Sequence, residues 1–193
     1  MRIGLYGGSF DPIHHGHLLL AREAREQLGL DRVLFIPAAL SPHKLTTVPT
    51  PGEARREMLE AALAGEPGFA LEDCDLRRAG PSFAIETVRE LRARWSEAQF
   101  FYLIGHDNVA KLDTWHLCTE LRAAVQFVVL GRGEHEAPHS FPTIVRRIDI
   151  SATEIRVRVA RGQSIRYLVP EAVRAIIERR KLYQGPNPST QNI

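Results

Sequence analysis

Cysteine is almost missing from this chain: Cys74 and Cys118 are its only two, and they stand far apart. That excludes a disulfide framework and leaves no Cys-x-x-Cys pair to hold a metal or shuttle electrons. Both are expected to be small core residues. Long hydrophobic runs are missing as well, so no segment is expected to span a bilayer. No secretory leader is read either, because Arg2 leads at once into a first strand and a glycine turn. The expected location is the cytoplasm. Charge of one sign is nowhere concentrated. The net charge of +2 is too small, and the positive groups too dispersed, to argue for a nucleic-acid partner. Arg77-Arg78, Arg146-Arg147 and Arg179-Arg180-Lys181 each lie near acidic residues and read as solvated faces.

What remains is an ordinary globular composition, 44% hydrophobic and 25% charged, and 193 residues suit one α/β domain with a sizeable core. We expect that domain over residues 1–184 and a short, polar, frayed tail over 185–193. No internal repeat is visible. A homo-oligomer is left open, because a surface helix and a dimer helix look alike in sequence.

The most informative stretch is Gly7-Gly8-Ser9-Phe10-Asp11-Pro12-Ile13-His14-His15-Gly16-His17. It follows an apolar run, Ile3 to Tyr6, and precedes an amphipathic one, so it reads as the turn between a first strand and a first helix. In an open α/β sheet that is where a nucleotide binds. Gly7 and Gly8 let the backbone come within contact distance of a ligand. Ser9 and Asp11 can accept hydrogen bonds from nearby amides, and Pro12 restricts the loop further. His14 and His17 are expected in the first helical turn, with their imidazoles on one side, where the helix N-terminus favours an anion. There is no G-x-G-x-x-G and no Gly-Lys-Ser/Thr, so this is neither the dinucleotide fingerprint nor a Walker loop. A plain structural turn and a metal site are the alternatives. Two histidines leave zinc short of ligands, and no cysteine or carboxylate cluster stands nearby in sequence, so no protein-bound metal is expected.

Farther along, Leu18, Ala21, Ala24 and Leu28 follow helical spacing up to Gly29, and Val33 to Ile36 reads as a second strand, buried on both faces. The proline-containing stretch 38–51 is a loop and carries Ser41-Pro42-His43-Lys44, in which Lys44 is a candidate cation for a triphosphate. Glu53 to Leu63 reads as a helix, Phe69 to Leu71 as a third strand, and Gly80-Pro81-Ser82 precedes another helix. Gln99 to Ile104 is the strongest strand signal and ends in Gly105-His106-Asp107-Asn108. Asp107 and Asn108 there are either ligand groups or a helix N-cap. Trp115 is either core or a platform for a planar ring. Val125 to Leu130 is a fifth strand, the loop 132–142 has no reading, and the apolar Ile144, Val145, Ile148 and Ile150 of a sixth lead into Ser151. Ser151 and Glu154 have the spacing of a capping box, and the helix start they open presents amides and Arg156 to an anion. A last helix follows Pro170. Strands alternating with helices, with ligand-type motifs after the first, second, fourth and sixth strands, predict a doubly wound parallel sheet.

The Gly7–His17 stretch resembles the nucleotidyltransferase superfamily with the signature His or Thr, any residue, Gly, His, and within it the nicotinate-mononucleotide adenylyltransferases. The resemblance extends to Pro42-His43-Lys44, to Arg55–Met58, to Pro81–Thr87, to Gly105–Asn108, to Trp115 and to Ile150–Arg156, and so covers residues 3 to 170. It departs at Ala84, where the family has Thr, at His106, where it has Ala, and at Ala152, where it has Ser. The resemblance implies a Rossmann-like nucleotidyltransferase fold and adenylyl transfer from ATP, carried with Mg²⁺, to nicotinate mononucleotide. It implies that His14, His17, Lys44 and Arg156 meet the phosphates. It places Gly7, Gly8, Ser9, Phe10, Ile104, Gly105, Asp107, Ser151 and Thr153 around ATP. Ser82, Ala84, Asn108, Trp115 and His116, with Lys44, are implied for the mononucleotide. Nicotinamide mononucleotide or phosphopantetheine as acceptor, and a nucleotide-binding regulator without catalysis, are the alternative readings.

Overall fold

A computed structural model describes residues 1–40, 42, 49–131 and 139–185. Lys44, most of the loop 132–142 and residues 186–193 of the expected tail lie outside the described residues.

Six parallel strands form one sheet in the order β3-β2-β1-β4-β5-β6. They are β1 Arg2–Gly8, β2 Arg32–Pro37, β3 Phe69–Leu71, β4 Gln99–Gly105, β5 Gln126–Gly131 and β6 Thr143–Val145. The two longest strands, β1 and β4, lie side by side, with Leu5 opposite Tyr102 and Tyr6 opposite Leu103. The continuous apolar runs read in sequence are the central strands, because a parallel sheet covered on both faces needs apolar residues at every position. The short β3 and β6 form its edges. This is the expected doubly wound parallel architecture.

Alternation along β4 shows how the core divides. Phe101 and Leu103 pack into a cluster with α1 (His15–Gln27), α2 (Gly52–Leu63), α6 (Ala152–Ala160) and α7 (Glu171–Arg179). Phe100, Tyr102 and Ile104 pack on the opposite face with α3 (Cys74–Arg77), α4 (Ala84–Arg94) and α5 (Cys118–Ala124). Successive side chains of a strand point to opposite faces, so one strand feeds both layers. Cys74 is buried, as expected, and Cys118 partly so.

Helix ends follow local chemistry. Helix α1 stops at Gly29, whose φ of 58° suits a residue without Cβ, and the Leu30 amide reaches back to the Arg25 carbonyl at 2.9 Å. Helix α6 opens with the Ser151 hydroxyl accepting from the Glu154 amide at 3.1 Å. Two short elements, α3 and α5, have no counterpart in the sequence reading and are too short to establish a periodicity, and the helix start left open after β4 is a 3-10 helix over His106–Thr114. No helix among the described residues is long and apolar enough to cross a membrane.

Leu103 has no exposed surface and sits at the centre of the sheet. Leu103→Ala should lower the unfolding free energy by about 2–5 kcal/mol, measured by urea denaturation.

Candidate active site

The site forms where the sheet reverses its winding. After β1 the chain passes to α1 on one face, and after β4 it passes to the 3-10 helix and α5 on the other. The carboxyl ends of two adjacent strands therefore open a crevice between them.

On the β4 side lies a cavity of about 510 Å³. It is lined by Gly7, Gly8 and Ser9 from the glycine turn and by Ile104, Gly105 and Asp107 at the end of β4. Ser82, Ala84, Asn108, Trp115 and His116 complete the wall, so eleven of the sequence-derived site residues meet in one place. Trp115 is both core and lining: its indole packs edge-on against Tyr102, with ring centroids 5.9 Å apart, and is half-buried beside the cavity. His116 packs against Phe83 at 4.5 Å. Neither Asp107 nor Asn108 is an N-cap; Gly105 takes that position, and both side chains stand in the first turn of the 3-10 helix. Ser82 is tied to the segment after β2, its hydroxyl accepting from the Ala39 amide at 2.9 Å.

The remaining described residues of that set, His14, His17, Phe10, Ser151, Thr153 and Arg156, gather on the α1 side. His14 and His17 stack, with ring centroids 3.7 Å apart and planes 23° from parallel. His14 is the N-cap rather than part of the first turn: its backbone is extended, and its carbonyl accepts from the His17 and Leu18 amides. The Phe10 ring is buried and packs edge-on against His17 at 5.1 Å. A Cβ on Gly16 would lie 3.0 Å from the His14 ring, so the glycine leaves room for the stacked imidazole, and the Ile150 carbonyl lies in ordinary contact at 3.5 Å. Arg156, in the first turns of α6, reaches the glycine turn. Arg156 donates to the Asp11 carbonyl at 2.7 Å and to the Thr153 hydroxyl at 3.3 Å. Asp11 does not cap its neighbouring amides as the sequence suggests; its carboxylate accepts from the distant Thr50 amide and Tyr183 hydroxyl instead.

Asp75, Phe83, Tyr102, Lys111 and Thr114 also line the cavity, and no sequence motif singles them out as site residues. Asp75 is buried, and burial raises its pKa above the usual carboxylate range. Hydrogen bonds from Thr87 and Ser82, together with the Arg78 charge, oppose that shift. Burial likewise pushes the Tyr102 phenol up, so it stays protonated as a donor. Among the described residues one group, Glu72, Cys74 and Glu90, has the proximity for a metal. Its carboxylates already pair with Arg77, Arg78 and Arg94, which fills their acceptor sites with guanidinium donors. No metal site is built there.

A cytidylyltransferase-like family model matches residues 5–158. A chain of Exiguobacterium sibiricum named as a probable nicotinate-nucleotide adenylyltransferase is 44% identical over 188 residues, covering 95% of this chain and 99% of that one. A relative of the same name from Thermus thermophilus is also 44% identical, over 95% of this chain and all of its own. This chain belongs to the nicotinate-nucleotide adenylyltransferase family. The match spans both halves of the crevice, so the family resemblance seen in the glycine turn extends to the cavity and to the start of α6. A solved Plasmodium falciparum nicotinic acid mononucleotide adenylyltransferase, complexed with NaAD, superposes with a TM-score of 0.77 at 16% identity, covering 94% of this chain and 97% of that one. At that identity the likeness shows a shared fold.

The glycine turn has one sharp steric requirement. A Cβ on Gly7 would lie 2.8 Å from the Tyr102 hydroxyl oxygen, while the next Tyr102 atom, Cζ, is at 3.6 Å. Gly7→Ala should therefore cost about 1–3 kcal/mol by overpacking. In a Tyr102→Phe background the same change should cost little, as read by thermal melts of the four proteins.

Proposed function

We propose that the protein transfers the adenylyl group of ATP to nicotinate mononucleotide, releasing pyrophosphate and forming nicotinate adenine dinucleotide. The observation that carries this is that the glycine turn, which lines an aromatic-walled cavity with Trp115, leads directly into a stacked His14–His17 pair and receives Arg156 at its Asp11 carbonyl. Close relatives bear the name of that reaction. Residues 1–184 act as one nucleotidyltransferase unit in this reading.

The acceptor's phosphate is already an anion at neutral pH and attacks the α-phosphorus in line, so the chemistry asks for no protein nucleophile. Positioning and stabilisation of developing charge suffice. His14, His17, Lys44 and Arg156 meet the phosphates. Gly7, Gly8, Ser9, Phe10, Ile104, Gly105, Asp107, Ser151 and Thr153 surround ATP, Phe10 by holding His17 from behind. Mg²⁺ comes with the triphosphate as part of the substrate, in keeping with its preference for phosphate oxygens and water over dedicated protein cages.

The pyridine ring stacks on Trp115, with Ser82, Ala84, Asn108 and His116 around it and Lys44 supplying a further cation. The start of α4 at Ala84 borders the cavity, and the first amides of a helix have no partner within it. These amides can receive the nicotinate carboxylate without the hydroxyl that Thr would bring.

Pyrophosphate release with ATP and Mg²⁺ tests the reading, with nicotinate mononucleotide, nicotinamide mononucleotide and phosphopantetheine compared as acceptors. Strong preference for the nicotinate form is expected. Equal use of both pyridine nucleotides would remove the carboxylate contact at Ala84, and binding of ATP without release in any arm would make the protein a regulator. His17→Ala should lower turnover by roughly 10²–10³-fold, the usual loss for one preorganised donor to developing charge. Trp115→Ala should weaken the mononucleotide more than ATP in binding titrations; an equal loss would assign the indole to the core alone.

A further inference from the structure

Arg55 is the largest fully buried side chain, at 1% exposure, and every hydrogen bond recorded for it goes to a backbone carbonyl. Its Nε donates to Thr50 at 2.8 Å, and Nη1 donates to Ser9 at 2.9 Å and Ala38 at 2.7 Å. Burial lowers its pKa, and the Asp11 charge opposes that most. One guanidinium thus fixes the glycine turn and both ends of the stretch between β2 and α2. Asp11 is the second centre. Its Oδ2 accepts from the Thr50 amide at 3.1 Å, its Oδ1 from the Tyr183 hydroxyl at 2.6 Å, and its carbonyl from Arg156 at 2.7 Å.

Tyr183 is the remote member of this network, 172 residues from Asp11 and beyond the last helix. Burial, with the neighbouring Asp11 charge, pushes its pKa up, so the phenol keeps its proton and donates. Arg179 and Arg180, just before it, pair with Glu57 of α2, the helix that carries Arg55. The segment from Arg179 to Tyr183 is therefore held to the same scaffold as the guanidinium.

We propose that Tyr183 is a positioning residue for adenylyl transfer: by donating to Asp11 it holds the turn that carries His14 and His17 in register with Arg156. The proposal rests on the reaction assigned above. Asp11 stands three residues before His14 and sets the orientation of Arg156 through its carbonyl, so a displacement there misaligns both sides of the phosphate site together. The acceptor cavity is lined by neither Asp11 nor Tyr183 and should be unaffected. The signature is then a loss in kcat with KM for the mononucleotide unchanged.

Tyr183→Phe removes the hydroxyl and keeps the ring packing. Steady-state kinetics of the wild type, Tyr183→Phe, Asp11→Ala and the double variant are compared, with amide hydrogen exchange over residues 9–17 read in parallel. Tyr183→Phe should lower kcat by about ten- to a hundred-fold, the scale of a misplacement near 1 Å, with KM for the mononucleotide within about two-fold. The double variant should be no slower than Asp11→Ala, because the alanine already removes the acceptor of the Tyr183 hydroxyl. Exchange over the turn should quicken. A kcat for Tyr183→Phe within about two-fold of wild type, or effects that add in full, overturns the proposal. Should the wild type transfer no adenylyl group, the reaction assignment fails; exchange then decides the brace alone, and unchanged protection in Tyr183→Phe refutes it.

Discussion

Everything in this molecule depends on the reversal of winding between β1 and β4. Parallel strands need crossovers, crossovers are right-handed, and a chain that first builds outward on one side must turn back at its central strand to build the other. At that seam two adjacent strand ends send their chains to opposite faces, leaving a crevice that no side chain has to vacate. The glycine turn, the end of β4, the start of α4 and the start of α6 all converge there because topology brings them there. Their residue types then decide the chemistry.

The two sides of the crevice are built differently. On the β4 side the walls are rings and small residues: Trp115 against Tyr102, His116 against Phe83, with Gly7 and Gly105 leaving room between them. On the α1 side the site is polar and dense, with stacked imidazoles, a guanidinium and a capped helix start. A flat, weakly polar ligand part suits the first, and a highly charged one suits the second.

How much of this could be read in the sequence depended on how far each residue's partners lie along the chain. The Gly7–His17 turn, the β4 run and the Ser151–Glu154 cap were legible because their geometry is set within a few neighbours. So were the central strands β1, β2, β4 and β5, whose apolar runs report burial on both faces. Asp11 was visible but its partners were not: Thr50 lies 39 residues away and Tyr183 lies 172 away. Arg55 was visible only as part of the Arg55–Met58 pattern shared with the family, since its burial follows from the glycine turn and the stretch between β2 and α2 folding over it. Asp75 and Tyr102 reach the cavity only through the packing of α3 and β4, and the short α3 leaves no periodicity to read. Lys44 lies outside the described residues and keeps its sequence-derived role as a proposal.

The sheet separates the core into two layers, and each half of the crevice leans on a different one. Tyr102, Ile104, Phe83, Ala84 and Trp115, around the cavity, belong to the layer shared with α4 and α5. Tyr6, Phe10, Ile150 and Ile155, behind the imidazoles and Arg156, belong to the layer shared with α1, α2, α6 and α7. The strands act as a partition between two nearly independent repacking problems. A lineage can therefore reshape the walls of the cavity by drifting on one side of that partition, while the stacked imidazoles and Arg156 rest undisturbed on the other.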